Sequence, residues 1–321
     1  MTTRVPPFDF RRLKHEDLAA RESLVELSAF GKPSGGGASF AEWFDRLPRI
    51  LGGRDLHDLV DAIVQARTAF RPVHWAMGAH VVKVGLGPII ADLLARHIIT
   101  AVSVNGAFVL HDFEIAAVGR TSEDVAAGLG SGAFGMSEQT GRAFAEMVDR
   151  AAREECGLGE ACAAHIATAG LPHAEQSVLA NCHRYDVPVT VHAAPGTDVA
   201  HLYPDLDGAK FGAALLRDFG IFTTLIGGLQ GGVYVNVGSA VILPEVFLKA
   251  LSAVRNAGLE VTRFTTANLD FIRQYRPLTN VVTRPVAEGG RGISLVGHHE
   301  IMVPLLAAAI NYRLWNPVEE S

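Results

Sequence analysis

Residues 231–258 read GGVYVNVGSAVILPEVFLKALSAVRNAG. Val233, Tyr234, Val235 and Val237 are β-branched or aromatic and run almost without polar interruption, which predicts a buried strand. Gly238 and Ser239 break the run. From Pro244 the apolar positions recur three and four apart, with Pro244 suited to a helix's first turn and Gly258 to its stop. A near-continuous apolar strand, a small-residue join and a helix belong to a parallel sheet covered on both faces.

The same alternation runs along most of the chain. PVHWAMG (72–78) predicts a strand, GPIIADLLARH (87–97) a helix, and AVSVNGA (101–107) a strand ending in an Asn105-Gly106 turn. TSEDVAAGLG (121–130) and SEQTGRAFAEMVDRAAREECG (137–157) predict helical pieces. SVLANCHRYD (177–186) reads as a helix and VPVTVHAA (187–194) as a strand. FTTLIGG (222–228) and EVTRFTTAN (260–268) read as further strands, and HEIMVPLLAAAINYRLW (299–315) as a helix. Near the start, AEWFDRLPRIL (41–51) and DLHDLVDAIVQARTAF (55–70) have helical spacing, with Asp55 placed to cap the second. The fold expected is α/β: a mostly parallel sheet with helices on both faces, Rossmann-like. It forms a single domain over residues 39–321, after a polar N-terminal arm, residues 1–38, that ends in a glycine-rich loop.

The chain has 321 residues, 49% hydrophobic, with a formal net charge of −6. There is no basic surplus, so nucleic acid is not the expected partner. Cys156, Cys162 and Cys182 are odd in number and lack CxxC spacing, which fits a reducing, cytoplasmic setting rather than a disulfide framework. The first residues carry no apolar signal segment, and no apolar run approaches a membrane span. The expected ligand is a small molecule.

In open parallel sheets, ligands bind beyond the carboxyl ends of the strands. Five strand-end segments carry polar residues there. The first contains His80 and Lys83 among small apolar neighbours. A desolvated lysine is a good nucleophile, and a lysine that snorkels to solvent is the structural alternative. The second runs from Asn105 and Gly106 to His111, Asp112 and Glu114. Adjacent His111 and Asp112 do not face one another, so each would serve separately as acid, base or anchor, or Asp112 would cap a helix. The third contains His192, Gly196, Thr197, Asp198 and His201, which could hold a ribose or phosphate or, alternatively, a metal ion. The fourth, Gly238-Ser239 before a helix, could cradle an anionic group. It is not a GxGxxG fingerprint. The last are Thr265-Thr266-Ala267-Asn268 with Asp270, and His298-His299-Glu300, where an N-terminal cap with partly exposed histidines is the plainer role. No GxSxG, P-loop or HExxH is present.

The order of these strand-end segments resembles deoxyhypusine synthase and its bacterial relatives over roughly residues 70–310. Gly78-Ala79-His80-Val81 stands where that family has a Gly-Ser-Asn-Leu-type segment. Asn105-Gly106-Ala107 stands for its Thr-Ala-Gly-Gly turn, and Ala194-Pro195-Gly196-Thr197-Asp198 for its Pro-Ala-Leu-Thr-Asp-Gly loop. Val237-Gly238-Ser239 and Thr265-Thr266-Ala267 stand for its Gly-Gly-Gly turn and Asn-Thr-Ala segment. The resemblance implies a Rossmann-type fold, NAD as cofactor, a homotetramer, and transferase chemistry in which spermidine is oxidised and its aminobutyl group passes through an enzyme imine. It carries Asp198, Gly238, Ser239, Thr266 and Ala267 over as cofactor contacts, with Asn105, Gly106, Gly196 and Thr197 beside them. The imine-forming lysine of the family has no counterpart at Asn280–Pro285, which leaves Lys83 as the substitute. The leading expectation is an enzyme for a small amine or amino-acid-like substrate, with Lys83, His111 and Asp112 catalytic. The alternatives are a metal-dependent hydrolase or lyase using His80, His111, His192, Asp198 and His201, and a non-catalytic nucleotide-binding relative.

Overall fold

The computed structural model describes residues 4–315. The ends of the expected arm and domain, residues 1–3 and 316–321, lie outside them. The chain divides into two compact units, Met1–Ile50 and Leu51–Ser321.

The first unit is mostly exposed and holds one short α-helix, α1 (Phe40–Asp45). Ser39 and Glu42 close a capping box at its start, satisfying two donors that a helix leaves unpaired. The helix expected over 41–51 stops at Asp45 because Pro48 lies just ahead, and helices rarely continue into a proline.

In the second unit the order is α2 (Leu51–Thr68), β1 (Val73–Met77), α3 (His80–Lys83), α4 (Gly87–Ala95), β2 (Ala101–Asn105) and α5 (Gly106–Val118). There follow α6 (Val125–Leu129), α7 (Glu138–Arg153), α8 (Leu158–Thr168), α9 (Val178–Arg184), β3 (Val189–His192) and α10 (Gly208–Gly227). The last part holds β4 (Val233–Val237), α11 (Ile242–Asn256), β5 (Thr265–Asp270), α12 (Tyr275–Pro277) with a π-helical turn Leu278–Thr283, β6 (Arg291–Val296) and α13 (His299–Trp315). The six strands are all parallel, in the order β3-β2-β1-β4-β5-β6. Strand order reverses between β1 and β4, so that junction is the switch point where such sheets open a crevice.

The sheet has two unlike faces. Val73, Trp75, Met77, Val102, Val104, Val233, Val235 and Val237 make one face apolar and buried. The other carries His74, Ser103, Thr190, His192, Tyr234, Asn236, Thr266 and Asn268, also buried, at register positions that alternate with the first set. α10 and α11 cover this polar face: Tyr234 stacks on Phe247 at 3.9 Å, and Phe222 meets His74 at 5.2 Å and His192 at 5.0 Å. Several of the buried polar groups pair with each other, whereas the Tyr234 hydroxyl and Asn236 Oδ1 have no hydrogen-bond partner among the described residues. His74 Nε2 bonds Ser103 Oγ (2.8 Å), Ser103 bonds Thr190 Oγ1 (2.6 Å), and Thr190 bonds His192 Nε2 (3.0 Å).

Three expectations are corrected. FTTLIGG is the end of α10, not a strand. Phe211, Ala214, Asp218, Phe222 and Ile226 are its buried positions, spaced as a helix requires. Asp55 does not cap α2, which starts four residues earlier, at Leu51. Asn105-Gly106 is not a turn: Asn105 Oδ1 accepts the Phe108 N–H at 3.0 Å as N-cap of α5, which begins at Gly106. Asp218 finishes the sheet edge. From α10 its Oδ2 accepts the Val191 N–H of edge strand β3 and the Gly159 N–H of α8, both at 2.8 Å.

Candidate functional site

Beyond the carboxyl ends of β2 and β3 lies a cleft of about 770 Å³. Its walls come from α5, the segment from Arg120 to Thr140, and the loop Thr197–Val199, with Lys83 at its rim. A smaller cavity of about 270 Å³ continues it past Glu114, Glu123 and Thr140 toward Tyr203.

His111 and Glu114 are three apart on α5, so both point into the cleft. His111 Nδ1 sits 2.6 Å from Thr121 Oγ1 and 3.3 Å from Glu114 Oε2. Thr121 and Thr140 donate their hydroxyls to the two oxygens of Glu114. Burial alone would raise the Glu114 carboxyl, but the hydrogen bonds from His111, Thr121 and Thr140 and the His111 charge outweigh it, and the group lies below its usual range. Glu114 is therefore a fixed carboxylate that orients His111. With Nδ1 engaged, Nε2 is the nitrogen left to exchange a proton with a ligand.

Asp198 closes the inner end. Its carboxylate lies over Gly106, where a Cβ would run into Oδ2, and it accepts the Ala107 N–H at the start of α5. Burial raises its pKa, opposed by the His201 charge and by hydrogen bonds from Thr197 and Ala107. His201 Nδ1 accepts the N–H groups of Gly196 (3.0 Å) and Asp198 (3.3 Å), which folds the loop back on itself.

Of the residues singled out in the sequence, Lys83, His111, Glu114, Thr197 and Asp198 line this one cleft. Asn105 and Gly106 start the helix at its floor, and Gly196 is in the adjoining loop. Asp112 faces the opposite way. It is fully buried, and its two oxygens accept the Ser177 hydroxyl and the N–H groups of Val178 (2.8 Å) and Leu179 (3.0 Å). It caps α9 from a distance rather than capping its own helix or lining the cleft.

Gly238 and Ser239 stand apart from the cleft, at the switch point. A Cβ at Gly78 would strike Gly238 O, and one at Gly238 (φ 67°) would meet the His299 ring. Ser239 Oγ accepts the Leu243 N–H at the start of α11. His299 is wholly buried and its Nε2 lies 3.1 Å from Leu269 O, whereas His298 is exposed. Thr266 and Ala267 do not reach a strand end. They lie buried in the first half of β5, with Thr266 Oγ1 donating to Val281 O at 2.7 Å.

Of the five residues of the metal alternative, His111, Asp198 and His201 lie near one another, and His80 and His192 lie apart from them. His80 meets His299 at the switch point, His192 lies under Phe222, and His111 binds Thr121. Among the described residues no group of three or more His, Cys, Asp or Glu side chains is placed to hold a metal ion. The residues that sequence reasoning passed over are Arg120, Thr121 and Thr140. Only the i, i+3 spacing of His111 and Glu114 signalled that this wall of the cleft was polar.

A doubly wound parallel α/β protein with a deep cleft beyond its strand ends is the class these features define. No family model and no curated protein matches the sequence. Solved structures do match. ArgZ, an arginine dihydrolase from the ornithine-ammonia cycle in cyanobacteria, is 17% identical at a TM-score of 0.51, covering 82% of this chain and 32% of that one. AgrE, in a ternary complex with ornithine and NAD+, is 14% identical at 0.52, covering 83% and 34%. The chain thus spans about a third of the length of these two. A candidate deoxyhypusine synthase from Entamoeba histolytica is also among the similar structures, at 6% identity and a TM-score of 0.49, covering 87% and 95%. At such identities the likeness is one of fold, and function rests on the site. Among the described residues no helix is long and apolar enough to cross a membrane.

Proposed function

We propose that this protein is an enzyme acting on a small amine or amino-acid-like substrate held in the cleft. The observation that carries the reading is His111, fixed by Thr121 and the Glu114 carboxylate in the wall of the largest cavity described. A histidine held at one nitrogen by a carboxylate and exposed at the other is a general acid–base arrangement. Glu123 and Asp198, together with Glu114, give the cleft more carboxylates than the two cations Lys83 and Arg120 balance. That favours a cationic ligand. Phe113, Phe134, Val118 and Val125 supply apolar wall for its carbon chain. Lys83, exposed at the rim of the cleft, is the nucleophile we assign to an imine step with a substrate that itself carries an aldehyde or ketone beside its amine: the lysine amine adds to that carbonyl and water leaves.

NAD is the cofactor suggested by the resemblance to deoxyhypusine synthase and by the AgrE complex. The described residues do not fit its diphosphate as they stand. Asp198 already occupies the α5 N-terminus, where phosphate oxygens would bind. The protein's own atoms also fill the space over Gly78 and Gly238. Binding of NAD at this helix start therefore requires the Asp198 loop to move.

The test is a thermal-shift screen of amino acids, diamines and NAD, followed by turnover of any binder. A bound ligand must raise the melting temperature. His111→Gln is expected to keep binding and lose about 10²–10⁴-fold in turnover. If no amine binds, or if His111→Gln turns over normally, the reading fails. Borohydride trapping of an adduct with an amino aldehyde or amino ketone, in the parent but not in Lys83→Met, tests the imine step. Light scattering reads the homo-oligomer that the resemblance implies.

A further inference from the structure

At the other pole of the sheet, where β1 and β2 begin, lies an open depression of about 530 Å³. It is lined by Arg67, Phe70, Arg71, Pro72, His97 and Thr100, with no carboxylate among them. This is unexpected in a chain of net charge −6. A neighbouring cavity of about 340 Å³ shares Arg67 and adds Arg96 and Trp315.

The charge there is not accounted for locally. Arg96 is held by both oxygens of Asp92 at 2.9 Å. Among the described residues, Arg67 and Arg71 have neither an ion pair nor a side-chain hydrogen bond. The ends of α2 and α4 converge here, and each contributes about half a negative charge. Two helix ends offset one of the two arginines, which leaves a positive surplus.

Phe70 is the second observation. It is 89% exposed and holds φ at 54°. Its position is the stop of α2, where Arg71 N bonds Ala66 O at 2.7 Å. Glycine is the usual residue there because a side chain strains the left-handed backbone. His97 (φ 52°) stops α4 in the same way, but histidine tolerates this region better than a bulky apolar residue. A bare phenylalanine at a strained stop gains nothing for the fold. It does place a flat ring on the wall of a depression that Arg67 and Arg71 also line.

We propose that this depression is a binding site for planar aromatic anions, in which Phe70 stacks on the ring and Arg67 and Arg71 hold the carboxylate or phosphate. Its volume is within the range of small-molecule sites, and guanidinium forks match both anions. It is separate from the cleft of the proposed enzyme and does not depend on that reading.

Adenosine 5′-monophosphate and benzoate are the probes, titrated calorimetrically against the whole chain, with adenosine and inorganic phosphate as arms. Saturable binding of either probe is expected, at least tenfold tighter than adenosine or phosphate alone. Which probe binds more tightly tells nucleotide from aromatic acid. Arg67→Gln with Arg71→Gln is expected to weaken binding at least tenfold. Phe70→Gly is expected to weaken it at least fivefold while the melting temperature holds or rises. A packing role for Phe70 would lower that temperature and overturn its assignment. Absence of saturable binding at millimolar probe, or affinity unchanged in both variants, overturns the site.

Discussion

His111 and Asp112 are neighbours in sequence with opposite roles, because a helix turns about 100° between successive residues. His111 reaches the cleft, and Asp112 reaches the buried start of α9. The sequence showed that both were unusual on an apolar helix, but nothing local in it tells which side of α5 faces solvent. That depends on α9, some sixty residues downstream. Asp112→Ala would orphan the Val178 and Leu179 N–H groups and the Ser177 hydroxyl. Each buried unpaired donor costs about 1–3 kcal/mol, so a loss of roughly 3–5 kcal/mol is expected in urea unfolding. Asp112→Asn keeps an acceptor and is expected to lose about half as much. If Asp112→Ala unfolds within 1 kcal/mol of the parent, the capping role assigned to it is wrong.

At the level of elements, strands that are buried on both faces and rich in β-branched residues were legible for β1 to β4. β6 was not: RGISLV opens on an exposed arginine and a glycine and buries only alternate residues at the sheet edge. FTTLIGG misled for the opposite reason. Its β-branched threonines look strand-like in isolation, and only the spacing back to Phe211 shows the helix. The join between β2 and α5 has a consequence for the cleft. Gly106 is required there because a Cβ would displace the Asp198 carboxylate. Gly106→Ala is expected to cost about 1–3 kcal/mol and to push the Asp198 loop out, exposing the Ala107 amide. Hydrogen exchange at Ala107 measures this directly. Unchanged protection would mean that the loop does not depend on that contact.

Over the whole molecule, four buried groups carry the largest shifts in the acid range, and their signs oppose. Burial pushes His74 and His192 down to about 3, His192 adding to the effect on His74. Burial pushes Asp112 up to about 6 and Asp218 up to about 7, against the hydrogen bonds each accepts. Stability from the two neutral histidines is present above their unfolded value of 6.5 and is lost as pH falls toward 3. Stability from the two raised carboxyls is present below their unfolded value of 3.8 and is lost as pH rises through 6 to 7. Between about pH 6 and 4 the unfolded chain gains two protons on histidine while the folded chain holds two on aspartate, so these contributions cancel. Below about pH 4 the unfolded carboxyls protonate too and the cancellation ends, but the folded histidines take up protons near 3, so the imbalance stays under about one proton and costs roughly 1 kcal/mol per pH unit. Surface ion pairs add little to this. The urea midpoint is therefore expected to stay level from pH 7 to 4 and then to fall gradually. In the double variant His74→Gln, His192→Gln the carboxyl contribution stands alone, and stability is expected to rise on acidification across the same window. A parent protein that loses stability steadily between pH 7 and 5 would show that Asp112 and Asp218 stay ionised in the folded state. The polar face of the sheet would then be balanced by some group other than these two carboxyls.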